Sequence, residues 1–249
     1  MLILINAHEQ KKKIIVFDLD ETLGHFSQPY KFWHSLKNFL NNETLAEEFF
    51  HNFLDLFPDF LRNDIFSILT YIKRKKISGE CDYVMVYTNN NGPNNWVNMI
   101  MAYIHKKLKY KLFDQIIHAF KINGKLVEIC RTSYGKSYKD LLSCTKLSNN
   151  SQICFIDDQF HGEMNHENVT YINPEPYVYN LEYHNLAKKF YDENVSLFNT
   201  YNKSRKEFMK YTSALNNEKL PYLNKSKTKM NIDLLISKKI LYNLKQFMN

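Results

Sequence analysis

The feature that most constrains this chain is a series of short apolar, β-branched runs: KIIVFD, DYVMVYT, QIIHAF, QICFIDD and VTYIN, each bounded by polar or charged residues. Several are continuous rather than alternating, as strands covered on both faces must be. Helical patterns separate them. After NNNGP, where Pro93 suits a first helical turn, Trp96, Ile100, Ile104 and Leu108 recur every fourth residue. Strands alternating with helices require parallel crossovers, so the expected fold is α/β, a doubly wound parallel sheet.

The stretch between the first two runs far exceeds a usual strand-to-helix connection and must carry structure of its own. Phe32, Trp33, Leu36, Phe39 and Leu40 predict one helix. TLAE at 44–47 reads as a capping box opening a second, with Leu45, Phe49 and Phe53 on one face, and Pro58 ends it. FLRNDIFSILTYIKRKK predicts a third. A small helical insert at about 26–57 is therefore expected after strand one, with Trp33, Phe49 and Phe53 as its own core. From about Tyr183 the strands stop and lysine-rich helical text follows. NNEKLPYLNKSKTKMN reads as a polar linker, and Ile236, Ile240, Leu244 and Phe247 give the closing segment an apolar stripe expected to pack on the core. The expected division is a core over 1–195 and a basic helical extension over 196–249.

No apolar run is long enough to span a bilayer, and the opening MLILIN is too short for a secretory signal, so an intracellular protein is expected, cytoplasmic or nuclear. Cys81, Cys130, Cys144 and Cys154 show no C-x-x-C pair, which predicts reduced structural thiols and no zinc site. The net charge of +7 raises nucleic acid as a partner. That inference is weakened by the abundance of lysine, asparagine, isoleucine and tyrosine beside scarce arginine, the residue usage of an A+T-rich genome.

Function in an open parallel sheet collects at the carboxyl ends of the strands, where the strand order reverses. Three runs end in polar groups of one theme, FDLDET, VYTNN and FIDDQ, which would bring Asp18, Asp20, Thr88, Asp157 and Asp158 to one edge. Crowded carboxylates repel one another unless a cation sits among them, and oxygen-only ligands favour Mg²⁺. Such an ion removes the charge barrier between a carboxylate nucleophile and a phosphoryl group. One aspartate can then attack phosphorus while a second exchanges the proton of the leaving oxygen and of water.

These motifs resemble those of the haloacid dehalogenase superfamily, and within it the phosphatases of the RNA polymerase II C-terminal domain, also called NLI-interacting-factor-like. The family's D-x-D-x-T corresponds to Asp18, Asp20 and Thr22, its strand-ending Thr to Thr88, and its acidic pair to Asp157 and Asp158. Its lysine, in a KDL context, selects Lys139 over nearby Lys136. FLRNDIFSIL resembles the family's LRPG helix start, with Asn63 and Asp64 in place of Pro-Gly, and NHENVTYINP its segment after the acidic pair. The likeness covers residues 14–183. A helical insert stands where the group has a strand-rich one, and the tail has no counterpart.

The resemblance implies a Rossmannoid core and a Mg²⁺-dependent phosphomonoesterase, a candidate Ser/Thr protein phosphatase. Asp18 would be the nucleophile that forms an aspartyl-phosphate, and Asp20 the general acid/base. Thr88 and Asn89 would hold phosphoryl oxygens, and Lys139 would balance their charge. Mg²⁺ would be held by Asp18, the Asp20 carbonyl and the acidic pair, with Asp158 the direct ligand and Asp157 bound to the lysine. An open site would suit a phosphopeptide, whereas an insert closing over it would suit a small phosphorylated metabolite or a nucleic-acid 3′ phosphate. The rival reading is a non-catalytic interaction module on the same fold, docked through the basic tail. His25 and His161 flank the site and are read as loop histidines.

Overall fold

The computed structural model describes residues 11–92, 94–215 and 226–249; Pro93, MLILIN and the first part of the expected linker lie outside them. In chain order the elements are β1 (Lys13–Phe17), α1 (Ser27–Leu40), α2 (Glu47–Leu56), α3 (Ile65–Ile77), β2 (Tyr83–Tyr87), α4 (Asn94–Leu108) and β3 (Gln115–Ile117). A short antiparallel hairpin follows, β4 (Lys121–Ile122) and β5 (Lys125–Leu126), then α5 (Tyr138–Thr145), β6 (Gln152–Ile156) and β7 (Val169–Ile172). The helices α6 (Tyr183–Glu193), α7 (Val195–Thr200), α8 (Arg205–Leu215) and α9 (Lys227–Met248) complete the chain.

β3, β2, β1, β6 and β7, in that order, form a five-stranded sheet in which every pairing is parallel. Each expected run supplies one strand. The chain moves outward from β1 through β2 to β3, then crosses back to place β6 on the other side of β1. The order therefore reverses between β1 and β6, which opens a crevice at their carboxyl ends.

Alternation along the strands feeds two separate cores. Ile15, Phe17, Val84, Val86, Cys154 and Ile156 face a large apolar cluster completed by residues of α1 to α4 and α6 to α9. Ile14, Val16, Met85, Tyr87, Ile153 and Phe155 face a smaller one, closed by Leu141 of α5 and Met164. Being buried on both faces is what made the strands read as unbroken apolar runs.

The insert is helical, as expected, but its boundaries differ. Thr44 Oγ1 donates to Asn42 Oδ1 at 3.0 Å instead of capping, and α2 begins at Glu47 with no side-chain cap. Leu45 and Phe53 of the expected face are buried, but Leu45 precedes the helix, Phe49 is only half-buried, and Phe50, His51 and Leu54 join Phe53 inside. The insert's aromatics do not make a private core. Phe32 stacks on Phe53 at 5.0 Å and meets Phe190 of α6 edge-on at 5.1 Å, and Phe50 packs on Trp96 of α4 at 4.9 Å.

The closing segment packs on the core. Ile240, Leu244 and Met248 are buried in the large cluster, Ser237 Oγ donates to Asn63 O at 2.5 Å, and Lys13 Nζ donates to Met248 O at 3.0 Å. The last part of the expected linker is helix: Ser226 Oγ caps α9 by accepting from Lys229 N at 3.2 Å. The large cluster runs without interruption from β1 to Met248, across the expected division at 195. Among the described residues no helix is long and apolar enough to cross a membrane.

Candidate active site

Asp18 follows β1 directly, and its amide continues the ladder by donating to Ile156 O at 2.8 Å. The chain then turns sharply through DETLG. Glu21 takes a left-handed φ of 57°, and Gly24 pairs with Leu61 so closely that a Cβ there would lie 2.5 Å from Phe60 O. Only glycine fits that approach. Arg62, 1% exposed, locks the turn: its Nε donates to Thr22 O at 2.6 Å and its Nη2 to Glu21 O and Glu175 O at 2.6 and 2.9 Å. Asp64, where the resembled family has glycine, also has a left-handed φ, of 60°, which aspartate tolerates better than most residues.

The turn delivers Asp20 to the strand edge, where Asn90 Nδ2 donates to its Oδ2 at 2.7 Å. Thr88, buried at the end of β2, accepts from Asn90 N through Oγ1 at 2.9 Å, and Arg131 Nη1 donates to its carbonyl at 3.2 Å. After β6, Asp157 accepts from Gln159 N at 2.8 Å, and His161 Nε2 lies 3.3 Å from its Oδ2. Asp158 is held from β1: Thr22 Oγ1 donates to its Oδ1 at 3.0 Å and accepts from its amide at 3.1 Å.

Carboxylate oxygens of Asp18, Asp157 and Asp158 all lie within 4.8 Å of one another. The lysine between them is Lys136, not Lys139. Lys136, 2% exposed, donates to Asp18 Oδ1 and, at 2.6 Å, to Asp157 Oδ2, whereas Lys139 is exposed on α5. The reason is local. Ser137 Oγ accepts from Asp140 N at 3.0 Å, so the helix starts at Tyr138, Lys136 precedes it on the strand-end side, and Lys139 turns outward. Asp20 offers no carboxylate oxygen to the cluster of three, its side chain being turned to Asn90.

A cleft of about 170 Å³ opens onto this edge, lined by Asp18, Asp20, Glu21, Thr88, Asn89, Asn90, Lys136, Asp157, Gln159 and His161. Asn89 Oδ1 is buried there without a hydrogen-bond partner. The sequence reading missed Lys136 and Asn90 and took His161 for a loop residue. SYKD, a serine followed three residues later by an acid, marks the helix start that exposes Lys139. His25, by contrast, is a buried strap, its Nδ1 2.7 Å from Tyr179 O.

Among the described residues one lysine, Lys136, contacts these buried acids. Burial pushes the Asp18 carboxyl well above its ordinary range against the pull of Lys136, and likewise raises Asp20 against Asn90 and Asp158 against Thr22. Asp157 alone among the four goes down, because the His161 and Lys136 contacts outweigh its burial. Crowded oxygen donors with a deficit of positive charge fit a hard divalent cation. Comparisons with family models, with curated proteins and with solved structures find no match in any of the three.

Proposed function

We propose that the protein is a Mg²⁺-dependent phosphomonoesterase of the haloacid dehalogenase type, acting on phosphorylated serine or threonine in an extended peptide. The observation that carries this reading is the convergence of Asp18, Asp157, Lys136 and Thr88 on one small cleft at the reversal of strand order, with an Asp158 oxygen within 4.8 Å of those of Asp18 and Asp157. Asp18 attacks phosphorus through a carboxylate oxygen, the ester bond breaks, and Asp20, oriented by Asn90, gives the leaving oxygen its proton. Asp20 then takes a proton from water, whose oxygen attacks the aspartyl-phosphate, freeing phosphate and restoring Asp18. Thr88 and the Asn89 amide hold the phosphoryl oxygens, and Lys136 balances their charge. Mg²⁺, which Asp18, Asp157 and Asp158 would hold, would supply charge neutralisation at the phosphoryl group.

An extended substrate is favoured because none of the cleft's lining residues comes from α1 or α2. Those helices pack aromatic residues on α4, α6 and α8 instead. Hydrolysis of an aryl phosphate and of a phosphoserine peptide, each with and without Mg²⁺, tests the proposal. Asp18→Asn is expected to lower turnover by roughly 10³-fold or more. Full activity in that variant, or none in the unaltered chain with Mg²⁺, would overturn it.

A further inference from the structure

Apart from the cleft, the fold brings together three side chains that the proposed reaction does not use. Glu128 and Cys130 lie in the segment between β5 and α5, and Cys144 lies near the end of α5. A carboxylate oxygen and both Sγ atoms fall within 4.8 Å of one another. All three residues are half-buried, while Ile129 between the first two is 78% exposed and turned away. With no C-x-x-C pair in the sequence, a thiolate metal centre was not expected; tertiary structure supplies the proximity that spacing does not.

We propose that Glu128, Cys130 and Cys144 bind a thiophilic divalent cation of the zinc class. Two sulfurs and one carboxylate oxygen suit a borderline-soft ion and disfavour Mg²⁺, which requires hard oxygen ligands. Three protein ligands leave a fourth tetrahedral position for water. The donors are held from outside the cluster. His118 N donates to Glu128 Oε2 at 3.3 Å, and Gln115 of β3 donates through Nε2 to the Cys144 carbonyl at 2.9 Å. Such supporting contacts orient ligands before an ion arrives. A bound ion would fasten the segment after β5 to α5, and that segment carries Arg131, which holds the Thr88 carbonyl, and Lys136.

The test uses the full chain, reduced and stripped with chelator, titrated with Co²⁺. One equivalent should bind with a thiolate-to-cobalt charge-transfer band. That band should survive in Asp158→Asn, which weakens the acidic cluster of the cleft, and affinity should fall by at least about 100-fold in Cys130→Ser and Cys144→Ser, beyond the change expected from a supporting residue. On the unaltered chain, Zn²⁺ should slow alkylation of Cys130 and Cys144 by iodoacetamide, read by peptide mass spectrometry. This second measurement decides alone if the serine variants do not fold. A missing band, a band unchanged in both serine variants, or alkylation rates indifferent to Zn²⁺ would overturn the proposal.

Discussion

Thr22 and Asp158, 136 residues apart, hold each other through a reciprocal pair of hydrogen bonds, hydroxyl to carboxylate at 3.0 Å and amide to hydroxyl at 3.1 Å. The loop after β1 is thereby fixed to the loop after β6 across the point where the sheet changes direction. Thr22→Val keeps the shape and removes both bonds, leaving the Asp158 amide without its partner. A stability loss of about 1–3 kcal/mol is expected in urea titration, together with a higher Mg²⁺ concentration for half-maximal activity. A variant matching the parent in both measurements would show that the pair positions nothing.

Lys136 and Lys139 make opposite forecasts. Lys136→Met leaves Asp18 and Asp157 facing each other without their ammonium, and breaking such a buried pair costs about 3–5 kcal/mol. Activity should fall steeply even at temperatures where the variant remains folded. Lys139→Met alters an exposed helix position and should stay within about 0.5 kcal/mol of the parent with unchanged turnover. Phosphatase assays on the two variants side by side would reverse the assignment if the Lys139 variant proved the inactive one.

Gly24→Ala tests the close approach of the turn to Phe60. Its methyl group would meet Phe60 O at 2.5 Å and the Phe26 ring at 2.7 Å, so the backbone must move. A destabilisation of about 1–3 kcal/mol is expected from thermal unfolding. Because Asp20 and Glu21 ride on the same turn, turnover should drop as well. Unchanged stability would mean the turn has slack that the packing does not suggest.

His105 provides a pH dependence whose sign follows from its surroundings. Burial, with Lys111 and Lys76 adding to it, lowers its affinity for a proton, and Nε2 accepts from Phe113 N at 3.2 Å, which requires that nitrogen to be unprotonated. His51 and His118 are lowered by burial too. At these three sites the unfolded chain binds more protons than the folded one, whereas the Asp18 and Glu21 carboxyls, pushed up by burial to about 7, act in the opposite sense. The histidine contribution to stability is complete above the ordinary value of 6.5 and is lost as pH falls from there through the lower folded values. Because the carboxyl contribution is common to both proteins, the parent's unfolding midpoint should fall relative to that of a His105 variant between about pH 7.5 and 5.5. His105→Gln, which keeps an acceptor and does not titrate, should decline less; an equal slope would remove His105 from the explanation.

The strands were legible because a parallel sheet covered on both faces leaves its mark as uninterrupted apolar runs, and Asp18, Thr88 and Asp157 were legible because they stand at the ends of such runs. Position along α5 was harder. SYKD and TLAE look alike as helix starts, yet Ser137 caps its helix while Thr44 bonds to Asn42 and leaves α2 uncapped. Whether such a signature acts depends on which competing acceptor lies nearby. Asn90 and Arg131 were invisible for a related reason: what they hold, Asp20 Oδ2 and the Thr88 carbonyl, is brought near them only by the folded chain. The meeting of Cys130 with Cys144 is of the same kind.

The two sides of the sheet are buttressed unequally, by a multi-helix layer on one and little more than α5 on the other. Thin layers open first, so backbone amides of α5 should exchange with deuterium ahead of those of α3 or α4. Lys136 is attached to that loosely backed layer, while the acids it neutralises are anchored to the central strands. A partial opening that left most of the molecule intact would withdraw the ammonium from Asp18 and leave the buried acids without that charge.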